Sequence, residues 1–366
     1  MAEEITIIIA SDNHYLCHAT VAMMSVLKST ENPQNIVFYF FDEGIGYSNR
    51  EYLAQEISTL GGNIVFVDID KSMFEPFFTS GHIKTSAYYR LLAPTLLPST
   101  IKKAIYLDSD LLLLENISNL YNIDIGEATL AAVEDPVEKD NRFIDSLHKV
   151  NRRYFNSGVL VINIDNWRKE NITEKLFEYV RNNEVLRYHD QDALNMIFDD
   201  KWYKLPSRWN VQTAFYKFEE YQKVCSNPAL VHFTTHVKPW HIYSKHPYKD
   251  IYMQYRLETK WRDKPLLNKL LLEKLKDGSK LIIFGTGQFA KNIVENIDYE
   301  ISYFIDNSSE KVGGLFFEKT IYSPAQLLLE QKDRIAIVIG SMYVAEITSQ
   351  LELMGLEKEK QIFTLH

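Results

Sequence analysis

Three short stretches of this 366-residue chain carry residue types that could do chemistry: LDSD at 107–110, HDQD at 189–192 and VHFTTHVKPWH at 231–241. The first sets Asp108 and Asp110 two positions apart, with strand-like AIYL before them and LLLL after. Residues i and i+2 of an extended segment share a face, so the two acids can reach one point. Burying an unpaired carboxylate is costly, and the pair therefore calls for a proton, for cations of the protein or for a metal ion. Mg²⁺ or Mn²⁺, hard ions that prefer oxygen, suit it. A tight turn capped by the acids is the structural alternative. His232, ending another apolar stretch, is placed to supply a third ligand, or else packs as an ordinary core histidine. Lys238, next to Pro239, adds a cation suited to a diphosphate. Two further Asp-x-Asp matches read more simply. VDID at 67–70 runs into a polar loop, and HDQD opens the helical run ALNMIF, where acids favour a helix N-terminus.

Elements of two kinds must position these groups. ITIIIA, IVFYFF, NIVFV, KAIYL, TLAAV, GVLVIN and ALVHF read as strands, while residues 16–29, 48–60 and 166–182 show helical periodicity. This alternation predicts an α/β fold with a mainly parallel sheet covered on both faces. Ligands of such sheets sit beyond the carboxyl ends of the strands.

The bulk properties narrow the function. A net charge of -9 argues against general nucleic-acid binding. The two cysteines, Cys17 and Cys225, have neither disulfide-framework nor zinc-ligand spacing. The acidic start MAEEITIIIASD is unlike a signal or transit peptide, and no apolar run is long enough to span a bilayer. A cytoplasmic location is the expectation, with at most peripheral contact at the cytoplasmic face of the membrane. Between Tyr243 and Asp277 the texture becomes basic and aromatic, with nine Lys or Arg. This segment reads either as a solvated helical connection or as a surface for anionic lipid. A second α/β pattern begins at Lys280. LIIFGTGQFA places a G-x-G-x-x-A turn between strand and helix, and Asp306 follows Gly285 by 21 residues, near dinucleotide-fold spacing. The expected division is 1–243, a linker over 244–279, and a small Rossmann-like domain over 280–366.

Taken together, IIIASDNHY, HIKTSAYYRLL, YLDSDLLLLENI, YFNSGVLVINIDNWR, HDQDALN and HFTTHVKPWH resemble, in order and spacing, glycosyltransferase family 8. That family comprises retaining enzymes, among them bacterial lipopolysaccharide galactosyl- and glucosyltransferases and the glycogenins. The resemblance covers about residues 4 to 243 and implies a GT-A fold, a UDP-sugar donor and Mn²⁺ held by Asp108, Asp110 and His232, with Mg²⁺ as the other candidate. It further implies that Ala10, Asp12 and Tyr15 meet the uridine, that Arg90 lies in the segment folding over the donor, and that Ser109 contributes to the donor site. Asn156 and Ser157 would hold sugar hydroxyls, Lys238 the phosphates, and Asp190 and Gln191 the reacting face of the sugar. Two positions depart from the family pattern: Thr235 stands where glycine is usual, and His14 where asparagine is common.

The expected activity is transfer of a hexose from UDP-glucose or UDP-galactose to a glycan or glycolipid acceptor. Gln191 is a poor nucleophile, which favours front-face substitution over a covalent sugar intermediate. The C-terminal domain resembles modules appended to polysaccharide-biosynthesis enzymes and reads as a protein-contacting or a nucleotide-binding unit. An NAD-dependent oxidoreductase or a sugar-nucleotide-binding protein built on that domain is the competing expectation.

Overall fold

The computed structural model describes residues 4–13, 15–69, 89–136, 153–182, 188, 190–199, 201–235, 238–241, 244–262, 267–297 and 299–364. His14, Asp70 of VDID and the part of HIKTSAYYRLL before Tyr89 lie outside the described residues. The chain divides into two compact units, Met1–Thr234 and Thr235–His366.

The strands of the first unit are β1 (Ile5–Ser11), β2 (Ile36–Asp42), β3 (Asn63–Asp68), β4 (Lys103–Leu107), β5 (Leu111–Leu113), β6 (Leu130–Glu134), β7 (Phe155–Asn163), β8 (Tyr203–Lys204), β9 (Val211–Gln212) and β10 (Leu230–His232). Every apolar stretch expected to be a strand in this region is one. Seven of the strands form the main sheet in the order β3-β2-β1-β4-β7-β6-β8. β1 runs parallel to β2 and β4, β2 to β3, and β6 to β8; β7 alone is reversed, antiparallel to β4 and β6. The sheet is therefore mainly parallel, as its apolar runs suggested.

Both faces are covered. Ile8, Ala104, Tyr106, Leu160 and Ile162 join a core with Leu91, Trp167, Leu176 and Leu194 from the helices Tyr89–Leu96, Ile164–Lys169, Ile172–Asn182 and Asp190–Phe198. The alternating residues Ile7, Ile9, Ile105, Leu107, Val159 and Val161 point the other way and are equally buried. The helix expected over 166–182 is broken in two. Asn171 turns the chain with φ of 51°, in the left-handed region that asparagine tolerates. Trp167 spans the break, its Nε1–H donating to Thr173 Oγ1 at 2.9 Å.

β5, β10 and β9 form a small separate sheet, with β10 antiparallel to β5 and parallel to β9. Helix Leu16–Ser29 is tied to it through Ser25 Oγ, which accepts from the Leu113 N–H at 2.9 Å. The chain first passes from the main sheet to the small one at Asp108–Asp110, between β4 and β5.

The second unit holds β11 (Lys280–Phe284), β12 (Ile301–Ile305), β13 (Leu315–Phe316), β14 (Lys319–Tyr322), β15 (Ile335–Ile339) and β16 (Ile362–Thr364), in the order β13-β14-β12-β11-β15-β16. All pairs are parallel except the β13–β14 hairpin. Leu271 and Leu275 of helix Leu267–Lys276 are buried in one core with Ile283, Phe304 and Val338, so this helix is a layer of the sheet. Gly285, with φ of 110°, closes the turn after β11; a Cβ there would lie 2.7 Å from the Gly340 carbonyl oxygen. Asp306, directly after β12, accepts from Thr286 Oγ1 at 2.6 Å, from the Ser308 N–H at 2.9 Å and from Lys311 Nζ at 3.2 Å. Burial opposes ionisation of this carboxyl, but the three donors outweigh it and hold the acid below its ordinary range. Among the described residues no helix is long and apolar enough to cross a membrane.

Candidate active site

The acids of LDSD sit where the chain passes from one sheet to the other. The Asp108 N–H donates to the Gly158 carbonyl of β7 at 2.9 Å, and the Asp110 carbonyl accepts from the Phe233 N–H, just past β10, at 3.0 Å. The antiparallel register sets His232 directly opposite Leu111, beside Asp110. As a result His232 Nε2 lies 3.2 Å from Asp110 Oδ1 and 3.6 Å from Asp108 Oδ2. One ligand atom from each residue falls within 4.8 Å of the other two. The expected convergence of Asp108, Asp110 and His232 is thus present in the fold.

Asp108 divides its oxygens between two tasks. Oδ1 accepts from Arg90 at 2.8 Å and from the Tyr106 hydroxyl at 3.0 Å. Oδ2 faces the histidine. The space in front of it depends on Gly158, where a Cβ would lie 2.1 Å from His232 Cε1 and 2.6 Å from Asp108 Oδ2. The donor set and this open cradle fit a divalent cation: two carboxylate oxygens and one imidazole nitrogen suit Mn²⁺, and with more water Mg²⁺.

Arg90 joins the acid pair to the helix Asp190–Phe198. Besides Asp108 it pairs through Nε with Asp190 Oδ2 at 3.0 Å, and its Nη1 donates to the Ser157 carbonyl at 2.7 Å and to Ser157 Oγ at 3.0 Å. Burial alone would lower the guanidinium pKa, but Asp108 and Asp190 reverse the effect and keep Arg90 charged. Asp190 also accepts from Ser157 Oγ at 3.0 Å, and burial raises its pKa from the ordinary carboxylate value, an effect Arg90 counters in part.

Beside this pair lies a network of amides. Gln191 Oε1 accepts from the Ser157 N–H at 3.0 Å and from Asn156 Nδ2 at 3.1 Å, while its Nε2 donates to Asp135 Oδ2 at 3.2 Å. Asn156 Nδ2 also donates to Asp135, and Asn156 Oδ1 accepts from the Gly158 N–H at 3.0 Å. Toward β1, Ser109 Oγ donates to the Ala10 carbonyl at 2.7 Å and Asp12 Oδ1 accepts from the Tyr15 N–H at 2.8 Å. The pKa of the Tyr15 hydroxyl is raised above its ordinary value by burial and by the charges of Asp110, Asp12 and Asp108. Lys238 belongs to the second unit, where its N–H donates to His241 Nδ1 at 3.1 Å.

Tyr106, Asp135, Asp192 and Asn210 were not singled out from the sequence. Asp192 is fully buried under the Tyr154 hydroxyl at 2.5 Å and the Tyr188 N–H at 2.8 Å. A second acid in HDQD was the available signal. Asp135 and Asn210 stand in stretches with no pattern of their own.

Comparison with known proteins bears on this geometry. The family model described as Glycosyl transferase family 8 matches residues 6–243, and one described as C2185-like, N-terminal, matches residues 277–362. General stress protein A of Bacillus subtilis (strain 168) is 37% identical over 269 residues, covering 70% of this chain and 94% of that protein. Lipopolysaccharide 1,3-galactosyltransferase of Salmonella typhimurium is 26% identical over 317 residues, covering 83% of this chain and 91% of its own. Of the longer Streptococcus pneumoniae glycosyltransferases GlyF and GlyB, the chain spans 61% and 63%. The crystal structure of galactosyltransferase LgtC with donor and acceptor sugar analogs superposes with a TM-score of 0.63 at 29% identity, covering 71% of this chain and 100% of LgtC. With its main sheet, its acid pair at the strand end and this match over residues 6–243, the chain belongs to glycosyltransferase family 8 and has the GT-A fold.

Proposed function

We propose that the chain is a retaining hexosyltransferase that moves glucose or galactose from a UDP-sugar to a hydroxyl of a lipopolysaccharide- or polysaccharide-type acceptor. The observation that carries this reading is the meeting of Asp108, Asp110 and His232 at the carboxyl end of β4. These three would hold a divalent cation, Mn²⁺ or Mg²⁺, which when bound offsets the charge gathering on the departing nucleotide diphosphate. Ala10, Asp12 and Tyr15 are assigned to the uridine, Ser109 to the donor beside it, and Lys238 to the phosphates. Asn156, Ser157, Asp190 and Gln191 are assigned to the sugar.

The chain's own residues favour front-face substitution. Gln191 Oε1, a poor nucleophile as an amide oxygen, already accepts two hydrogen bonds, and Asp190 Oδ2 is held by Arg90 and Ser157. In this reading the acceptor hydroxyl arrives on the side of the leaving group and passes its proton to the departing phosphate. The oriented Gln191 amide stabilises the developing oxocarbenium ion. We assign the transferase to 1–243, a connection to 244–279 whose helix Leu267–Lys276 packs on the sheet that follows, and a Rossmann-like module to 280–366, in a cytoplasmic protein with at most peripheral contact at the membrane.

The test is UDP release from UDP-glucose, UDP-galactose and their N-acetyl forms, with and without Mn²⁺. One hexose donor should turn over only with the cation, and Asp110→Asn should abolish turnover even in excess Mn²⁺. Wild-type turnover by that variant removes the metal assignment. Trapping a covalent sugar on Asp190 removes front-face substitution.

A further inference from the structure

Asn210 is fully buried, ends a short 3-10 helix (Ser207–Asn210) and directly precedes β9, which lies alongside β10. Its Oδ1 is 3.0 Å from His232 Nδ1 and its Nδ2 is 2.9 Å from Asn156 Oδ1. An isolated amide could face either way, and an isolated imidazole could carry its proton on either nitrogen. Here neither choice is open. The Gly158 N–H is a backbone donor, so the Asn156 atom it meets at 3.0 Å must be the carbonyl oxygen. The Ser157 N–H fixes Gln191 Oε1 in the same way at 3.0 Å, and Asn156 Nδ2 then donates to that oxygen. Because Asn156 presents oxygen to Asn210, Asn210 must present its NH₂ to Asn156 and its own oxygen to His232. Nδ1 therefore carries a proton, and once a cation sits between Asp108 and Asp110 the Nε2 lone pair is the one that faces it.

We propose that Asn210 is a positioning residue for the cation site: it selects the Nδ1–H tautomer of His232 and so keeps Nε2 free as a ligand. This inference rests on the cation reading of Asp108, Asp110 and His232 given above. The polarity runs from one main-chain N–H of β7 through two side-chain amides to the imidazole. Ligating histidines depend on such partners, whose loss typically weakens metal binding ten- to a hundredfold.

Three measurements on the full-length protein test it. In wild type loaded with Zn²⁺, a diamagnetic divalent cation, long-range ¹⁵N–¹H NMR should show His232 protonated at Nδ1; a ring protonated at Nε2 overturns the proposal. In Mn²⁺ titrations followed by electron paramagnetic resonance, Asn210→Leu should bind about ten- to a hundredfold more weakly than wild type. Asn210→Asp, which keeps the acceptor oxygen toward His232 but loses the donor to Asn156, should weaken binding less than Asn210→Leu. Equal affinity of a folded Asn210→Leu, or equal weakening by both substitutions, overturns the role of the acceptor while leaving the cation site standing. Should Asn210→Leu fail to fold, the wild-type tautomer still decides. Failure of the wild type to bind Mn²⁺ at all overturns the cation reading and this inference together.

Discussion

Gly158→Ala is the sharpest probe of the site, because it adds one methyl group and changes no charge. Gly158 has no unusual backbone conformation; its need for glycine is a matter of space. The added Cβ would sit 2.1 Å from His232 Cε1 and 2.6 Å from Asp108 Oδ2, where ordinary contact begins near 3.4 Å. Something must therefore move by about 1 Å. The neighbours have little freedom to do so: Asp108 is bound by Arg90 and Tyr106, and His232 by Asn210 and the β5–β10 register. Metal ligands tolerate errors of about 0.2 Å, and a 1 Å misplacement costs about a hundredfold in rate. We expect Gly158→Ala to lose at least about a hundredfold in Mn²⁺-dependent UDP release and to bind Mn²⁺ measurably more weakly. Overpacking should cost about 1–3 kcal/mol in stability, leaving the protein folded. Side-by-side urea denaturation, Mn²⁺ titration and donor hydrolysis separate these effects. An alanine variant with wild-type turnover and Mn²⁺ affinity would refute the reasoning, since the atoms described would then not define the reactive space.

Other perturbations follow from the same contacts. Arg90→Met leaves Asp108 and Asp190 without their shared cation; equilibrium denaturation should show a loss of about 3–5 kcal/mol, and a variant as stable as wild type would mean the pair is not coupled through Arg90. Burial lowers the His246 pKa from 6.5 to about 4, so the folded state prefers the neutral ring, whose Nδ1 accepts from the Tyr248 N–H at 3.2 Å. Its contribution is complete above pH 6.5 and is lost as pH falls toward 4, by up to about 3 kcal/mol; His246→Gln should flatten that part of the stability–pH curve, and an unchanged slope would argue against it. Thr286→Val removes one donor to Asp306 and should cost the second unit about 1.5–3 kcal/mol in chemical denaturation, whereas an unchanged midpoint would show that Ser308 and Lys311 suffice.

The strands and the first helix could be read from the sequence because burial imposes a period on apolar residues, and Leu16–Ser29 has its expected boundaries. The break at Asn171 could not, since the apolar spacing continues across it and one residue's φ decides the outcome. Asp108 and Asp110 stood out because acids amid leucines demand an explanation. His232 joined them by its place at the end of another apolar stretch, and family resemblance then drew Arg90 and Asn156 to them. Asp135 and Asn210 gave no such signal. Their importance arises from partners 21 and 54 residues away at Asn156, and pairings of that range belong to the fold rather than to a local pattern. Nor did composition reveal that helix Leu267–Lys276 contributes Leu271 and Leu275 to a core, because its lysines mask the apolar side.

The passage Asp108–Asp110 is fastened to the main sheet by one backbone bond, at Gly158, and to the small sheet by another, at Phe233. The gap between the two carboxylates is therefore a gauge of how the sheets are aligned. Enlarging or trimming a side chain such as Leu113 or Leu230, which pair at the end of β5–β10 away from His232 and are fully buried, would shear one sheet against the other and reach the chemistry as a change in that gap. Kinetic defects from such distant packing changes should accordingly scale with the sheet displacement they cause rather than with the stability they remove.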